Sequence, residues 1–156
     1  MCPINIREVK TAKDLDEFVR FPFPLYSKDT YYVPQLIKET IEQFSDKNPF
    51  FKHAKVRYFI AEKDGRCAGR IASIVNQRHI KFHNEKTGFF GFFECINDPE
   101  VSSGLLDKAC IELKKEGMEI IRGPMNFSTN EECGFLIEGF NESPMLMTPY
   151  NMPYYN

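Results

Sequence analysis

The sequence is poor in the features that mark secreted and membrane-spanning proteins. No apolar run approaches the length of a membrane span, and the first residues, MCPINIREVK, lack the apolar core of a signal peptide. Its cysteines are widely spaced, odd in number and never in a C-x-x-C pair, which argues against a disulfide framework or a zinc ribbon. They are Cys2, Cys67, Cys95, Cys110 and Cys133. We therefore expect a cytoplasmic protein with reduced thiols.

A concentration of positive charge is also absent. The 20 Lys and Arg residues are scattered among 22 Asp and Glu residues, and the formal net charge is −2. Without a basic stripe, nothing attracts nucleic acid or anionic lipid, so we expect neither a nucleic-acid nor a membrane partner. The length of 156 residues, with 42% hydrophobic residues, is typical of a single domain with one core.

The first 44 residues predict a strand and two helices. A short strand over residues 4–9 precedes Thr11, a typical N-cap residue, with Asp14 at the spacing of a capping box. The following helix, residues 12–20, must end before Pro22, because a residue that precedes proline avoids helical angles. The segment after it cannot continue a helix, and a second helix is predicted from Pro34 to about residue 44.

The middle of the chain predicts a hairpin and a third strand. Asp64 and Gly65 form a strong two-residue turn signal between strands at 56–62 and 66–76. The polar residues 77–87 predict a loop. His79 and His83 lie in this segment without a third ligand of clear spacing, so we predict no metal site there. The aromatic run at 88–96 then predicts a central strand.

The last regular elements are a helix and a short strand. Asp98, Pro99 and Glu100 form a compact helix start, and Gly117 is placed to end that helix at the C′ position. Residues 118–122 predict a short buried strand. We divide the single domain into a core at 1–122 and an irregular apolar tail at 123–156.

The tail carries more apolar surface than a solvated loop should. Its large apolar residues are Phe127, Phe135, Leu136, Ile137, Phe140, Met145, Leu146 and Met147. We expect another copy of the chain to cover residues 135–147 and the open edge of the sheet, which would make the protein a homodimer.

The predicted order of strand, two helices, three strands, helix and strand resembles the first two-thirds of the GNAT (GCN5-related N-acetyltransferase) fold. The stretches GFFGFFE at 88–94, RGPMNFS at 122–128 and GFLIEGF at 134–140 are similar to those of a group of uncharacterised bacterial GNAT-like proteins. The resemblance implies an α/β fold with a mostly antiparallel central sheet and flanking helices. It also implies a longer chain, so we expect a GNAT-like fold that is truncated and incomplete at its C-terminal end.

The resemblance implies an N-acetyltransferase that uses acetyl-CoA as co-substrate, a small amine as acceptor and no metal. Glu94 lies on the strand where GNAT enzymes often place a general base, and burial there would raise its pKa. Glu131 is the second catalytic candidate. The predicted coenzyme-binding residues are Cys95, Ile96, Asn97, Ser102, Ser103 and Gly104. The predicted acceptor-binding residues are Phe23, Tyr26, Tyr32, Asn126, Ser128 and Asn130.

One segment departs from the GNAT pattern. GNAT enzymes place an (Arg or Gln)-x-x-Gly-x-(Gly or Ala) loop at a helix start, where free N–H groups hold the coenzyme diphosphate. Here Pro99 removes one N–H, Asp98 caps others, and Glu100 adds a second negative charge. A GNAT-like binding or interaction module without catalysis is therefore the alternative. Glu94 would then be a glutamate at a strand end that bonds to a neighbour.

Overall fold

A five-stranded sheet forms the centre of the molecule. The computed structural model describes residues 3–155, so Cys2 lies outside the described residues. The strands lie side by side in chain order: β1 (Asn5–Glu8), β2 (Ala54–Lys63), β3 (Arg66–Asn76), β4 (Thr87–Cys95) and β5 (Ile120–Arg122). Neighbouring strands are antiparallel except for the parallel pair β4 and β5. This confirms the predicted α/β fold with a mostly antiparallel sheet.

Helices cover both faces of this sheet. They are α1 (Ala12–Arg20), α2 (Pro22–Leu25), α3 (Ile37–Gln43), α4 (Gln77–His83) and α5 (Pro99–Lys115), with 3-10 turns at Pro49–Lys52 and Pro153–Tyr155. Phe18 of α1 and Ile60 of β2 belong to one buried cluster, together with Phe127 of the tail. Leu105 of α5 packs with Phe59 in a separate cluster. Because neighbouring residues of a strand point to opposite faces, the two clusters lie on opposite sides of the sheet.

Local sequence signals placed several boundaries correctly. The Thr11 hydroxyl accepts a hydrogen bond from the Asp14 N–H at 3.1 Å, and the Asp14 carboxylate accepts one from the Thr11 N–H at 2.9 Å. Asp98 caps α5 by accepting from the N–H of Glu100 at 3.0 Å. Asp64 and Gly65 have φ angles of 52° and 72°, as a type I′ hairpin turn requires. These turns and caps depend on few neighbouring residues, which is why the sequence predicts them.

Other local predictions were wrong. The segment after α1, predicted to be non-helical, contains α2, which begins at Pro22. Proline fits the first position of a helix because the N–H group there has no intrahelical partner. The helix predicted from Pro34 begins at Ile37. The segment predicted as a loop contains α4, which Asn76 caps and which buries no residue, so it shows no apolar pattern. The last strand is shorter than predicted, and all three residues of β5 are exposed rather than buried.

The described residues contain free thiols and no helix that could span a membrane. Cys67, Cys95, Cys110 and Cys133 are free cysteines. No helix within residues 3–155 combines the length and the apolar character needed to cross a bilayer.

Gly91 offers a test of how closely the tail packs on β4. A Cβ atom at Gly91 would overlap the carbonyl oxygen of Met125, and backbone cannot swing aside as a flexible side chain can. Gly91→Ala should therefore lower the free energy of unfolding by about 2–3 kcal/mol. Urea denaturation measures this change.

Gly104→Ala in α5 is the matched control. A Cβ there would lie 3.2 Å from the Cδ1 of Ile6, and alanine favours a helix by about 1 kcal/mol relative to glycine. We expect this variant to be as stable as the native chain or more so. Equal losses in both variants would contradict the close approach of Met125 to Gly91.

Candidate active site

A β-bulge in β4 controls where Glu94 lies. Arg70 of β3 pairs with Glu94 and Ala72 pairs with Gly91, so β4 has one extra residue in this interval. Phe92 has a φ of 50°, a left-handed conformation that residues other than glycine seldom adopt. Its N–H donates to the Oδ1 of Asn126 at 2.7 Å, which stabilises this conformation.

The bulge opens onto a cavity of about 360 Å³, which we call the acceptor cavity. The consecutive residues Phe92, Phe93 and Glu94 all line it. The Phe92 ring packs in the buried cluster of Phe18, whereas Phe93 packs against the cluster of Leu105. Its other polar lining residues include Tyr32, Gln35, Arg70, Asn126, Glu132 and Asn151. A cavity that combines apolar walls with convergent polar groups is typical of a small-molecule site.

One side of the acceptor cavity is apolar and exposed. We call Val33, Met145, Leu146 and Met147 the apolar rim, since all four line the cavity. Met145 is 78% exposed and Leu146 is 92% exposed. The tail therefore leaves its most apolar segment in contact with solvent at the cavity entrance.

Glu94 is the most strongly perturbed carboxylate in this cavity. Its Oε2 accepts hydrogen bonds from the Tyr26 hydroxyl at 2.7 Å and from the Tyr155 hydroxyl at 2.8 Å. Burial raises the pKa of Glu94 to about 6, although the charge of Arg70 and both phenol bonds act in the opposite direction. A carboxylate with this pKa is mostly ionised at neutral pH and accepts a proton more readily than an ordinary glutamate.

The structure brings several predicted acceptor-site residues together. Tyr32 and Asn126 line the acceptor cavity, and Tyr26 lies behind it against Glu94. Phe23, Ser128 and Asn130 do not line it.

Glu132, rather than the predicted Glu131, lines the acceptor cavity. The carboxylate of Glu131 accepts from the N–H of Ser128 at 2.9 Å and closes its own turn. Glu132 accepts from the side-chain amide of Asn126 at 3.0 Å, and burial raises its pKa. The sequence could not separate these adjacent glutamates, because the turn decides which of them faces inward.

A second cavity of about 230 Å³ lies between the end of β4 and the start of α5. Four of the six predicted coenzyme-binding residues line it, namely Cys95, Ile96, Asn97 and Ser102. Ser103 and Gly104 do not. Its position at a strand end and a helix N-terminus suits the arm of a coenzyme thioester.

Two tyrosines of the tail bond to the strand end in this second cavity. The N–H of Cys95 donates to the Tyr155 hydroxyl at 2.6 Å, and the Tyr154 hydroxyl donates to the Cys95 carbonyl at 2.7 Å. The N–H and the carbonyl of Cys95, one of the predicted coenzyme-binding residues, therefore have side-chain partners in this structure.

Lys63 alters the electrostatics of the coenzyme loop. Its Nζ bonds to Asp98 at 2.5 Å and to Glu100 at 3.1 Å. The bond from Lys63 is the main reason that the pKa of Asp98 is lowered. The two carboxylates predicted to repel a diphosphate thus share a cation, which the sequence could not reveal because Lys63 lies 35 residues from Asp98.

The two histidines considered as metal ligands do lie together. The rings of His79 and His83 are 4.3 Å apart on α4, and the Nε2 of His79 is 2.9 Å from Glu85. Among residues 3–155, no group of three or more His, Cys, Asp or Glu side chains is arranged to hold a metal ion.

Two curated proteins are similar to this sequence over nearly all of its length, and no family model matches it. Protein YghO of Escherichia coli (strain K12) is 36% identical over 150 residues, which cover 96% of this chain and 38% of that protein. Bacterial ceramide synthase of Caulobacter vibrioides (strain NA1000 / CB15N) is 33% identical over 153 residues, which cover 97% of this chain and 40% of that protein. The chain thus spans about two-fifths of the length of these relatives.

Solved structures share the fold at low sequence identity. A tandem GNAT protein from the clavulanic acid biosynthesis pathway has a TM-score of 0.55 and 9% identity, over 73% of this chain and 34% of that one. The chain has a GNAT-like fold. An aminoglycoside acetyltransferase from a soil metagenomic sample, in complex with sisomicin, has a TM-score of 0.54 and 10% identity, over 79% of this chain and 78% of that one. A predicted acetyltransferase with acetyl-CoA from Clostridium acetobutylicum has a TM-score of 0.51 and 14% identity, over 77% of this chain and 79% of that one.

The raised pKa of Glu94 predicts a pH-dependent stability. Between its ordinary value of 4.5 and the folded value of about 6, the folded chain binds more protons than the unfolded chain. The free energy of unfolding therefore falls as the pH rises through this window. Glutamine cannot titrate, so Glu94→Gln should gain up to about 2 kcal/mol relative to the native chain between about pH 4 and pH 7.5.

Urea denaturation at several pH values measures this difference. Glu138→Gln, which removes an exposed carboxylate of the tail, is the control and should follow the native chain. A constant difference between Glu94→Gln and the native chain at all pH values would contradict the burial of the Glu94 charge.

Proposed function

We propose that this chain is the catalytic domain of an acyl-CoA-dependent N-acyltransferase whose acceptor is a long-chain amine. The observation that carries the proposal is Glu94, a carboxylate whose raised pKa of about 6 suits a general base and which faces a cavity at the β4 bulge. The solved structures support the same reaction class, since acetyltransferases share this fold.

In this reaction Glu94 accepts a proton from the ammonium form of the acceptor, directly or through a water molecule. The free amine then attacks the thioester carbonyl carbon. The C–N bond forms, the C–S bond breaks, and the proton that the nitrogen loses as it becomes an amide is taken up by the leaving thiolate to give coenzyme A. Acetyl-CoA is the simplest donor.

The strand end around Cys95, Ile96 and Asn97 would hold the donor through its backbone. The N–H of Ile96 donates to the Ala68 carbonyl at 2.9 Å, so the N–H groups of Cys95 and Asn97 are the ones proposed to stabilise the negative charge that develops on the carbonyl oxygen. The Tyr155 hydroxyl, which bonds to the Cys95 N–H, must give up this N–H if the donor uses it.

The apolar rim supports an acceptor with an alkyl chain. Val33, Met145, Leu146 and Met147 extend from the acceptor cavity to the surface, so an amine bound at Glu94 would have its chain covered by them. The name of the Caulobacter relative points the same way, because a ceramide is an N-acylated long-chain amine. The predicted homodimer, which would cover the same rim, stays a prediction.

A non-catalytic binding module is the second candidate. The observation that favours it is the pair of bonds by which Tyr154 and Tyr155 occupy the carbonyl and the N–H of Cys95. The Asp98 cap at the start of α5 favours it as well, because it uses an N–H that a diphosphate would need.

Turnover by Glu94→Gln separates the two candidates. With sphinganine and dodecylamine as acceptors and acetyl-CoA and palmitoyl-CoA as donors, release of the free thiol measures activity. We expect the native chain to be active and Glu94→Gln to lose at least about 100-fold in kcat/KM while it still binds coenzyme A. Glu131→Gln is the control and should remain active. Equal turnover by the native chain and Glu94→Gln would remove Glu94 from the mechanism, and complete inactivity of the native chain would favour the binding module.

Coenzyme A affinity tests the role of Lys63. Asp98→Ser keeps a residue that caps α5, and Glu100→Gln removes the second charge, so the double variant frees Lys63 for the diphosphate. Isothermal titration should show coenzyme A binding about 3–10-fold more tightly to the double variant, as expected for partly exposed charges. Adding Lys63→Met should cancel the gain. An affinity that does not change in the double variant would contradict a diphosphate site at this helix start.

A further inference from the structure

Arg70 is a buried cation that the proposed proton transfer does not use. It is only 7% exposed, it lies in the middle of β3, and it lines the acceptor cavity. Its partner across the sheet is Glu94. The cavity therefore has a permanent positive charge beside the proposed base.

One hydrogen bond fixes the position of this guanidinium. The Nη1 of Arg70 donates to the carbonyl oxygen of Phe18 at 2.8 Å. That carbonyl lies in the last turn of α1, and the residue four positions later is Pro22, which has no N–H to offer it. The guanidinium carbon also lies 5.1 Å from the centre of the Phe18 ring, close enough for a cation–π contact.

The other donors of Arg70 are not all used. A guanidinium has five N–H donors, and the Nε of Arg70 has no hydrogen-bond partner among residues 3–155. The Nε atom is itself shielded from the cavity, so an oxygen that enters the cavity would pair with the other guanidinium N–H groups. A buried charged group with unused donors gains from such a partner.

We infer that Arg70 binds an oxygen atom of the acceptor close to the nitrogen that Glu94 deprotonates. The inference rests on the proposed function, because it places the amine at Glu94. Arg70 and Glu94 are paired across the ladder and line the same cavity, so groups bound by the two side chains lie close together in the acceptor. Amino alcohols and α-amino acids share this arrangement, and a simple alkylamine lacks it.

Binding of small acceptors to the native chain tests the inference without turnover. Isothermal titration would compare leucinol, its deoxy analogue and leucine, which share one carbon skeleton. We expect the deoxy analogue to bind at least about 10-fold more weakly than the better of the other two, because it leaves the Arg70 donor unpaired. The affinities of leucinol and leucine, compared with each other, then show whether the site prefers a hydroxyl or a carboxylate.

Two variants assign the preference to Arg70. Arg70→Met should bind leucinol and its deoxy analogue with affinities equal within about 3-fold, and thermal unfolding would show whether it is folded. Arg66→Met, at the exposed start of β3, is the control and should keep the native preference. If Arg70→Met does not fold, the series on the native chain decides alone.

The outcomes for this inference and for the proposed function are distinct. Equal affinities of the native chain for leucinol, leucine and the deoxy analogue, or binding of none of them, would overturn the role of Arg70 even if acyl transfer is observed. A clear preference for the oxygen-bearing probes in a chain that transfers no acyl group would support the role of Arg70 and contradict the proposed function. A native preference that survives in folded Arg70→Met would also overturn the inference.

Discussion

The left-handed backbone conformation at Phe92 is the constraint on which the candidate site depends. It belongs to the bulge that adds one residue to β4 beside Glu94, which lines the cavity. Asn126 stabilises it through a bond to the Phe92 N–H, and the absence of a side chain at Gly91 lets the tail backbone approach β4. The tail is therefore part of the site, although it has little regular secondary structure.

Opposing electrostatic effects set the state of Glu94. Burial removes water from its carboxylate and favours the neutral form, whereas Arg70 and the hydroxyls of Tyr26 and Tyr155 favour the charged form. The raised pKa shows that burial is the larger effect. A base that is held in a desolvated environment in this way gains more from an incoming ammonium group than a solvated glutamate would.

The sequence predicts the parts of this structure that depend on neighbouring residues. Local patterns predict the Thr11 cap, the turn at Asp64 and the Asp98 cap, and the resemblance to GNAT enzymes points to Glu94. The sequence does not reveal contacts between residues that are far apart in the chain. The hydroxyl of Tyr155, for example, donates to Glu94, which lies 61 residues away. Arg70 is visible in the sequence as a charged residue within a run of small and apolar ones. Its importance becomes clear only from the structure, which shows that it is buried inside the sheet.

The direct test of this account is the titration of the Glu94 side-chain carboxyl by carbon-detected NMR, in the native chain and in Tyr26→Phe. We expect a midpoint near pH 6 in the native chain and a higher midpoint in Tyr26→Phe, because the lost phenol bond had stabilised the charged form. A midpoint at the ordinary glutamate value of 4.5 would contradict a buried base at the β4 bulge.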